Sequence, residues 1–173
     1  MSNKLLVVIG GPTGVGKTDM AIRLARHYQT EIICADSRQV YTELNIGVGR
    51  PSASQLNAIP HHLIGHISIH QDYSVAHYTN QALHILDELF LHHDMVILTG
   101  GTGLYVKAIM EGFDDIPKVE EGITERWTAL WKEQGIESLL KSLKDLDPAY
   151  LDIVDKANPR RIIRALAVSE STG

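Results

Sequence analysis

Eight consecutive residues in this chain have the types and spacing to grip phosphate: Gly11, Pro12, Thr13, Gly14, Val15, Gly16, Lys17 and Thr18. They match G-x-x-x-x-G-K-[ST], a loop in which glycines let backbone N–H groups turn inward around phosphate oxygens. Lys17 would bring a charge to the terminal phosphates, and Thr18 a hydroxyl to a magnesium ion (Mg2+) held with the ligand. The apolar run Lys4-Leu-Leu-Val-Val-Ile9 precedes the loop and a helical pattern from Lys17 follows it, so a helix N-terminus adds its positive dipole end. The ligand expected here is a diphosphate or triphosphate.

Other candidate groups read less uniquely. Hydrolytic members of this loop class carry an acid after a later core strand. Here Met95-Val-Ile-Leu98 runs instead into Thr99-Gly-Gly-Thr-Gly103, a second glycine turn in which N–H groups and Thr102 either face a ligand or simply link strand to helix. The nearest usable carboxylate is Asp36, where the second apolar run ends. Ligands of open parallel sheets sit at the carboxyl ends of strands, so Asp36 should stand beside the phosphate loop as a base or metal partner. Equally, Asp36 with Gln39 three residues on has the form of a capping box, and the pattern leaves both roles open. Arg160, Arg161 and Arg164 share one helical face opposite Ile162, Ile163 and Leu166. That face is either a solvated surface or a grip on a phosphate backbone. His61, His62, His66 and His70 make no zinc pattern with a lone cysteine, and His61 and His62 read as a strand start or cleft lining.

The elements that must hold these groups alternate. Apolar strands are expected at 4–9, 31–35 and 94–99, with a weaker one near 62–67. A helix should span Lys17 to Tyr28, and another should follow Ser74, where Val75, Tyr78, Ala82, Ile85, Leu86 and Leu89 recur at helical spacing. The pattern predicts an α/β fold, a parallel sheet flanked by helices, over residues 1–115. Phe113-Asp-Asp-Ile-Pro-Lys118 reads as a linker, 116–157 as a helical appendage, and 158–173 as a basic helix that returns to the core, with Asn158 as N-cap, Pro159 at the first position and Gly173 as a helix end.

Bulk properties exclude several classes. At 173 residues the chain can bury a full core, and 44% apolar against 21% charged residues sets it apart from disordered proteins. A net charge of -5 argues against wholesale coating of nucleic acid, so such contact must be local. The single cysteine, Cys34, rules out an internal disulfide and fits a cytoplasmic setting as a buried strand residue. No apolar run reaches membrane-spanning length, and the first residues are too short a stretch for a signal peptide.

Five stretches occur together in one family's order: Gly11-Pro-Thr-Gly-Val-Gly-Lys-Thr18, Ala35-Asp-Ser-Arg-Gln-Val-Tyr41, Pro60-His-His-Leu-Ile64, Gly100-Gly-Thr-Gly-Leu-Tyr105 and Arg161-Ile-Ile-Arg-Ala-Leu166. With them the sequence resembles the tRNA dimethylallyltransferases, or tRNA isopentenyltransferases. It departs from the family's Gly-Thr-Ala-Lys-Pro at Gly47-Val-Gly-Arg-Pro51, and Arg160 stands where Gln is usual. The resemblance implies a P-loop NTPase-like core and transfer of a dimethylallyl group from dimethylallyl diphosphate to N6 of an adenosine beside the anticodon in a tRNA anticodon stem-loop. It implies Asp36, Lys17 and Thr102 as catalytic residues, and Asp36, Ser37, Arg38, Gln39, Thr102, Arg160, Arg161 and Arg164 as tRNA contacts. Family members are longer, so further strands and basic residues are expected beyond Ser171-Thr-Gly173, with little prenylation from this stretch alone. An ATP-dependent small-molecule kinase, an adenine-nucleotide prenyltransferase and a phosphate-binding chain without turnover are the alternatives. Oligomeric state is not readable.

Overall fold

Four parallel strands form one sheet: β1 (Leu5–Gly10), β2 (Ile32–Cys34), β3 (His61–His62) and β4 (Met95–Gly100), in the order β1-β4-β2-β3. The structure is a computed structural model that describes residues 4–112 and 119–172, so the expected linker Phe113–Lys118 and the helix end Gly173 lie outside the described residues. The chain divides into two compact units, Met1–Phe113 and Asp114–Gly173.

In the first unit, the β4 strand lies between β1 and β2, with Leu5 opposite Met95 at one end and Gly10 opposite Gly100 at the other. Side chains alternate across such strands, which accounts for two separate apolar layers. Helix α1 (Lys17–Tyr28) covers one face, where Ala21, Ile22 and Ala25 meet Ile32 and Ile97. Helices α3 (Val75–His92) and α4 (Gly103–Glu111) cover the other, where Tyr78, Ala82, Leu89 and Tyr105 meet Ile33, Val96 and Leu98. Tyr78 and Tyr105 stack with ring centroids 3.9 Å apart. Each of these large apolar side chains contributes roughly 1.5–3 kcal/mol by burial. Helix α3 starts at a capping box made by Ser74 and His77. The architecture is the parallel, helix-flanked sheet of P-loop NTPase-like proteins.

Two local expectations change. The weaker strand near 62–67 shrinks to the two residues of β3, with an isolated bridge from Tyr41 to Ile67. The chain turns away because Leu63 and Gly65 adopt left-handed φ of 61° and 54°, which no strand accommodates. A helix not expected from the sequence, α2 (Ala53–Ala58), begins at a capping box of Ser52 and Gln55.

The second unit is entirely helical among the described residues: α5 (Ile123–Gln134), α6 (Ile136–Leu146), α7 (Pro148–Ile153) and α8 (Pro159–Thr172). Its core gathers Leu139, Leu143, Val154, Ile162, Ile163 and Leu166. Asn158 Oδ1 accepts from Arg161 N (3.3 Å) with Pro159 opening the helix, as expected of an N-cap. Within this unit α8 lays its apolar face on α5 and α6.

Candidate active site

Strand β1 delivers the chain into the phosphate loop, where Gly14 and Gly16 hold φ of 88° and 87°. An L side chain is disfavoured in that region, so these two glycines are what lets the turn close. Gly16 caps α1 without any side-chain hydrogen bond, leaving the N–H groups of the helix's first turn unclaimed by a side chain. Lys17 Nζ donates to Pro12 O (2.6 Å) across the loop, and among the described residues the Thr18 hydroxyl makes no hydrogen bond. A cavity of about 250 Å³ opens over the loop, lined among others by Thr13, Lys17, Thr18, Asp36, Arg50 and His61.

The ends of β2 and β4 are pressed together beside this loop. A Cβ at Gly100 would lie 2.0 Å from Ala35 O and 2.8 Å from Ala35 Cα, so only glycine allows the approach. Ala35 N donates to Thr99 O (2.7 Å) and Thr102 N to Ala35 O (3.1 Å), fastening the second glycine turn to the residue before Asp36. The Asp36–Gln39 pair does not form the capping box of a helix, because the Gln39 side chain turns to Val48 O and Gly49 O, and the Asp36 carboxylate uses one oxygen on a turn. Its Oδ1 accepts from Arg38 N (3.0 Å) and Gln39 N (3.4 Å), capping a turn over residues 37–40 rather than a helix. Its Oδ2 makes no hydrogen bond among the described residues and lies on the side of Gly101 and Gly11 O, each 3.6 Å from a Cβ built on Gly101.

Asp36 also lines a second cavity of about 310 Å³, with Pro12, Thr13, Ser37, Arg38 and Thr102. The carboxylate therefore borders both the space over the phosphate loop and the space beside Ser37 and Arg38. Within that wall Thr102 Oγ1 accepts from Ser37 N (2.9 Å) and donates to Ser37 Oγ (3.1 Å), tying the two turns to each other. Gln39 faces inward: its buried amide donates to Val48 O and Gly49 O (both 3.1 Å), and its Oε1 accepts from Cys34 Sγ (3.4 Å). Burial first, and then the Asp36 charge, push the Cys34 thiol up to about 12, so it is a protonated donor in this site.

Those Gln39 bonds reveal a segment that the sequence reading did not place. Residues 47–51 lie over the phosphate loop, with Gly49 so close that a Cβ there would sit 3.1 Å from Thr13 Cγ2. Gln55 Nε2 donates to Asp19 Oδ1 (2.7 Å), tethering α2 to the first turn of α1. The pattern Ser52-x-x-Gln55 was the available sign of a helix start there; nothing local showed that the segment lies on the phosphate loop.

The histidines find neighbours of their own. His61 and His62 form β3, and His61 lines the phosphate cavity with Nδ1 against Ile59 O (2.7 Å) and a buried Nε2 that has no hydrogen-bond partner among the described residues. Burial holds His61 and His66 below the usual histidine range. His62 Nε2 meets Glu31 Oε2 at 2.6 Å, and His66 Nε2 meets Gln81 Oε1 at 3.1 Å. Among the described residues no three His, Cys, Asp or Glu side chains converge as a metal site, and no helix is long and apolar enough to cross a membrane.

In the second unit, Arg160, Arg161 and Arg164 are exposed while Ile162, Ile163 and Leu166 are buried, the two-faced helix that the spacing predicts. The arginines line a cavity of about 490 Å³ with Asp147, Tyr150 and Asn158. None of the three is in an ion pair among the described residues.

The family model described as IPP transferase matches residues 39–173. The tRNA dimethylallyltransferase 1 of Bacteroides thetaiotaomicron is 46% identical over 168 residues, covering 97% of this chain and 54% of that protein. The tRNA dimethylallyltransferase of Christiangramia forsetii is 47% identical over 173 residues, covering 100% of this chain and 57% of that one. Among solved structures, the full-length tRNA isopentenylpyrophosphate transferase from Bacillus halodurans aligns with a TM-score of 0.63 at 35% identity, over 99% of this chain and 57% of that one. A eukaryotic dimethylallyltransferase acting on tRNA shares the fold, with a TM-score of 0.77 at 24% identity over 98% of this chain and 44% of that one. The chain thus spans just over half the length of the curated relatives it matches.

Proposed function

Since the chain belongs to the IPP transferase family, we propose that it moves a dimethylallyl group from dimethylallyl diphosphate to the exocyclic N6 of an adenosine beside the anticodon of tRNA. The observation that carries this reading is the place of Asp36, on the border between the phosphate-loop cavity and the cavity beside Ser37 and Arg38. The donor's diphosphate occupies the first and the adenine reaches the second. The allylic carbon–oxygen bond breaks as the N6–carbon bond forms, the proton of N6 passes to Asp36 Oδ2, and diphosphate leaves.

Each group has a physical task in that step. The loop N–H groups and Lys17 offset charge that accumulates on the leaving diphosphate. Asp36 Oδ1 remains bound to the turn, which aims Oδ2 without costing it an acceptor site. The Thr102 hydroxyl is committed to Ser37 and supports the wall that the adenine would meet. Thr18 Oγ1 and phosphate oxygens offer the hard oxygen donors that magnesium prefers; bound there, the ion would neutralise diphosphate charge. The exposed faces of Arg160, Arg161 and Arg164 supply phosphate-backbone contacts for the stem-loop. Turning an adenine out of its stack costs a few kcal/mol, which such contacts offset.

The test is transfer of label from dimethylallyl diphosphate to an anticodon stem-loop RNA, without ATP, by the protein extended to the length of its relatives and by the same protein carrying Asp36→Asn. Asparagine keeps the oxygen that caps the turn and loses the base. Transfer should fall by about 10²–10⁴-fold with donor affinity little changed. Near-normal transfer by the variant, or a requirement for ATP, overturns the assignment.

A further inference from the structure

The phosphate-loop cavity holds a second cation that the reading above does not use. Arg50 lines the same cavity as Lys17 and Thr18 but comes from a different segment, the stretch 47–51 that lies over the loop. Its backbone is pinned from two sides. Gln39 Nε2 holds the carbonyls of Val48 and Gly49, while Gly49 itself abuts Thr13. Immediately after it, Pro51 is buried and Ser52 opens the helix tethered to Asp19 through Gln55.

The side chain is held as firmly. A Cβ at Gly65 would fall 1.6 Å from Arg50 Nη2 and 2.7 Å from Cζ, so the guanidinium rests in a notch that the missing side chain creates. Arg50 Nη1 donates to the amide oxygen of Asn45, a neutral acceptor. Among the described residues no carboxylate pairs with Arg50. The two acids that share its cavity are engaged elsewhere through one oxygen each, Asp19 with Gln55 and Asp36 with the 37–40 turn. The charges of both Lys17 and Arg50 oppose the upward push of burial on the Cys34 thiol.

A preorganised, unneutralised guanidinium on a residue that lines a phosphate cavity is suited to an anion, because its planar fork matches two phosphate oxygens at once. We infer that Arg50 is a donor-binding residue that takes the phosphate which the loop does not enclose, with Gly65 positioning its guanidinium. Resting on the diphosphate reading above, this makes the site selective for two linked phosphates over one. It also adds a second positive group to the leaving diphosphate as the carbon–oxygen bond breaks.

Titrations with inorganic diphosphate and with inorganic phosphate test this without the RNA or the transfer reaction. Hydrogen bonds to a charged partner of this kind convert to roughly 10–100-fold in affinity. Arg50→Gln should weaken diphosphate by that factor and shift phosphate by less than about threefold. Arg50→Lys should recover only part of the loss, since it restores charge but not the fork. Gly65→Ala should reproduce the diphosphate defect with Arg50 still present, thermal unfolding confirming that the variant is folded. Unaltered diphosphate affinity in Arg50→Gln, or an equal loss for both ions, overturns the inference. Lys17→Ala separates the two levels. If it weakens both ions while Arg50→Gln weakens neither, Arg50 alone is misassigned; if it weakens neither, the phosphate-loop reading fails as well.

Discussion

Replacing Gly100 by alanine probes the contact on which the site's geometry rests. The added methyl would stand 2.0 Å from Ala35 O, 2.3 Å from its carbonyl carbon and 2.8 Å from its Cα. All three are backbone atoms of the neighbouring strand's end, so no side-chain rotation relieves the overlap. Relief requires β2 and β4 to part where Ala35 N bonds Thr99 O and Thr102 N bonds Ala35 O. Overpacking in a closed core costs about 1–3 kcal/mol, and one strained backbone hydrogen bond about 1 kcal/mol more. A total near 2–4 kcal/mol corresponds, at about 2–4 °C per kcal/mol for a chain of this size, to a drop of roughly 4–16 °C in Tm. Gly101→Ala is the control. Its methyl meets Asp36 Oδ2 and Gly11 O at 3.6 Å, ordinary contact distance, at a backbone conformation that alanine accepts. Thermal unfolding by circular dichroism should therefore show Gly101→Ala within about 0.5 kcal/mol of wild type. Diphosphate titration should nevertheless find it impaired, because the methyl enters the space between Asp36 and the loop. A Gly100→Ala variant that melts with wild type, or a Gly101→Ala variant that loses as much stability, would refute the close strand approach.

Two further outcomes follow from burial and charge. Arg161→Ala with Arg164→Ala should leave stability unchanged, because both side chains are exposed, and should lower the salt slope of stem-loop binding by roughly 1.5 at about 0.7–0.9 per lost phosphate contact; an unaltered slope in filter binding would mark the arginines as a solvated face. At alkaline pH the native state should retain protons that the unfolded chain gives up, since burial raises Cys34 to about 12 and also raises Tyr73, Tyr78 and Tyr105. Stability should then fall as pH rises above about 9, with Cys34 alone contributing a slope of about 1.4 kcal/mol per pH unit until its native value is passed. Urea unfolding between pH 8 and 11 should show that decline and a shallower one in Cys34→Ala; a flat profile would contradict the thiol's burial.

The phosphate loop, α1, β4 and the core stripe of α3 were legible in the sequence because each is written in local spacing. The glycines of the loop, the 3.6-residue recurrence from Val75 to Leu89 and the Asn158-Pro159 cap all act within a few residues of themselves. Spacing also placed Asp36 at a strand end. It could not divide the carboxylate's two oxygens between a turn and a cavity, because that depends on Gly100, Gly101 and Thr102 arriving from 65 residues away. Their arrival follows from the insertion of β4 between β1 and β2, a pairing decided by how two apolar faces are covered at once. The same holds for Arg50, an ordinary surface residue by composition. Only the fold of 47–65 over the loop, fastened by Gln39 and Gln55 and notched at Gly65, brings it to the lining of the phosphate cavity. Local chemistry was readable because it needs only neighbours in sequence; the site's second half was decided by tertiary structure, since its members become neighbours only after the sheet and its two apolar layers have formed.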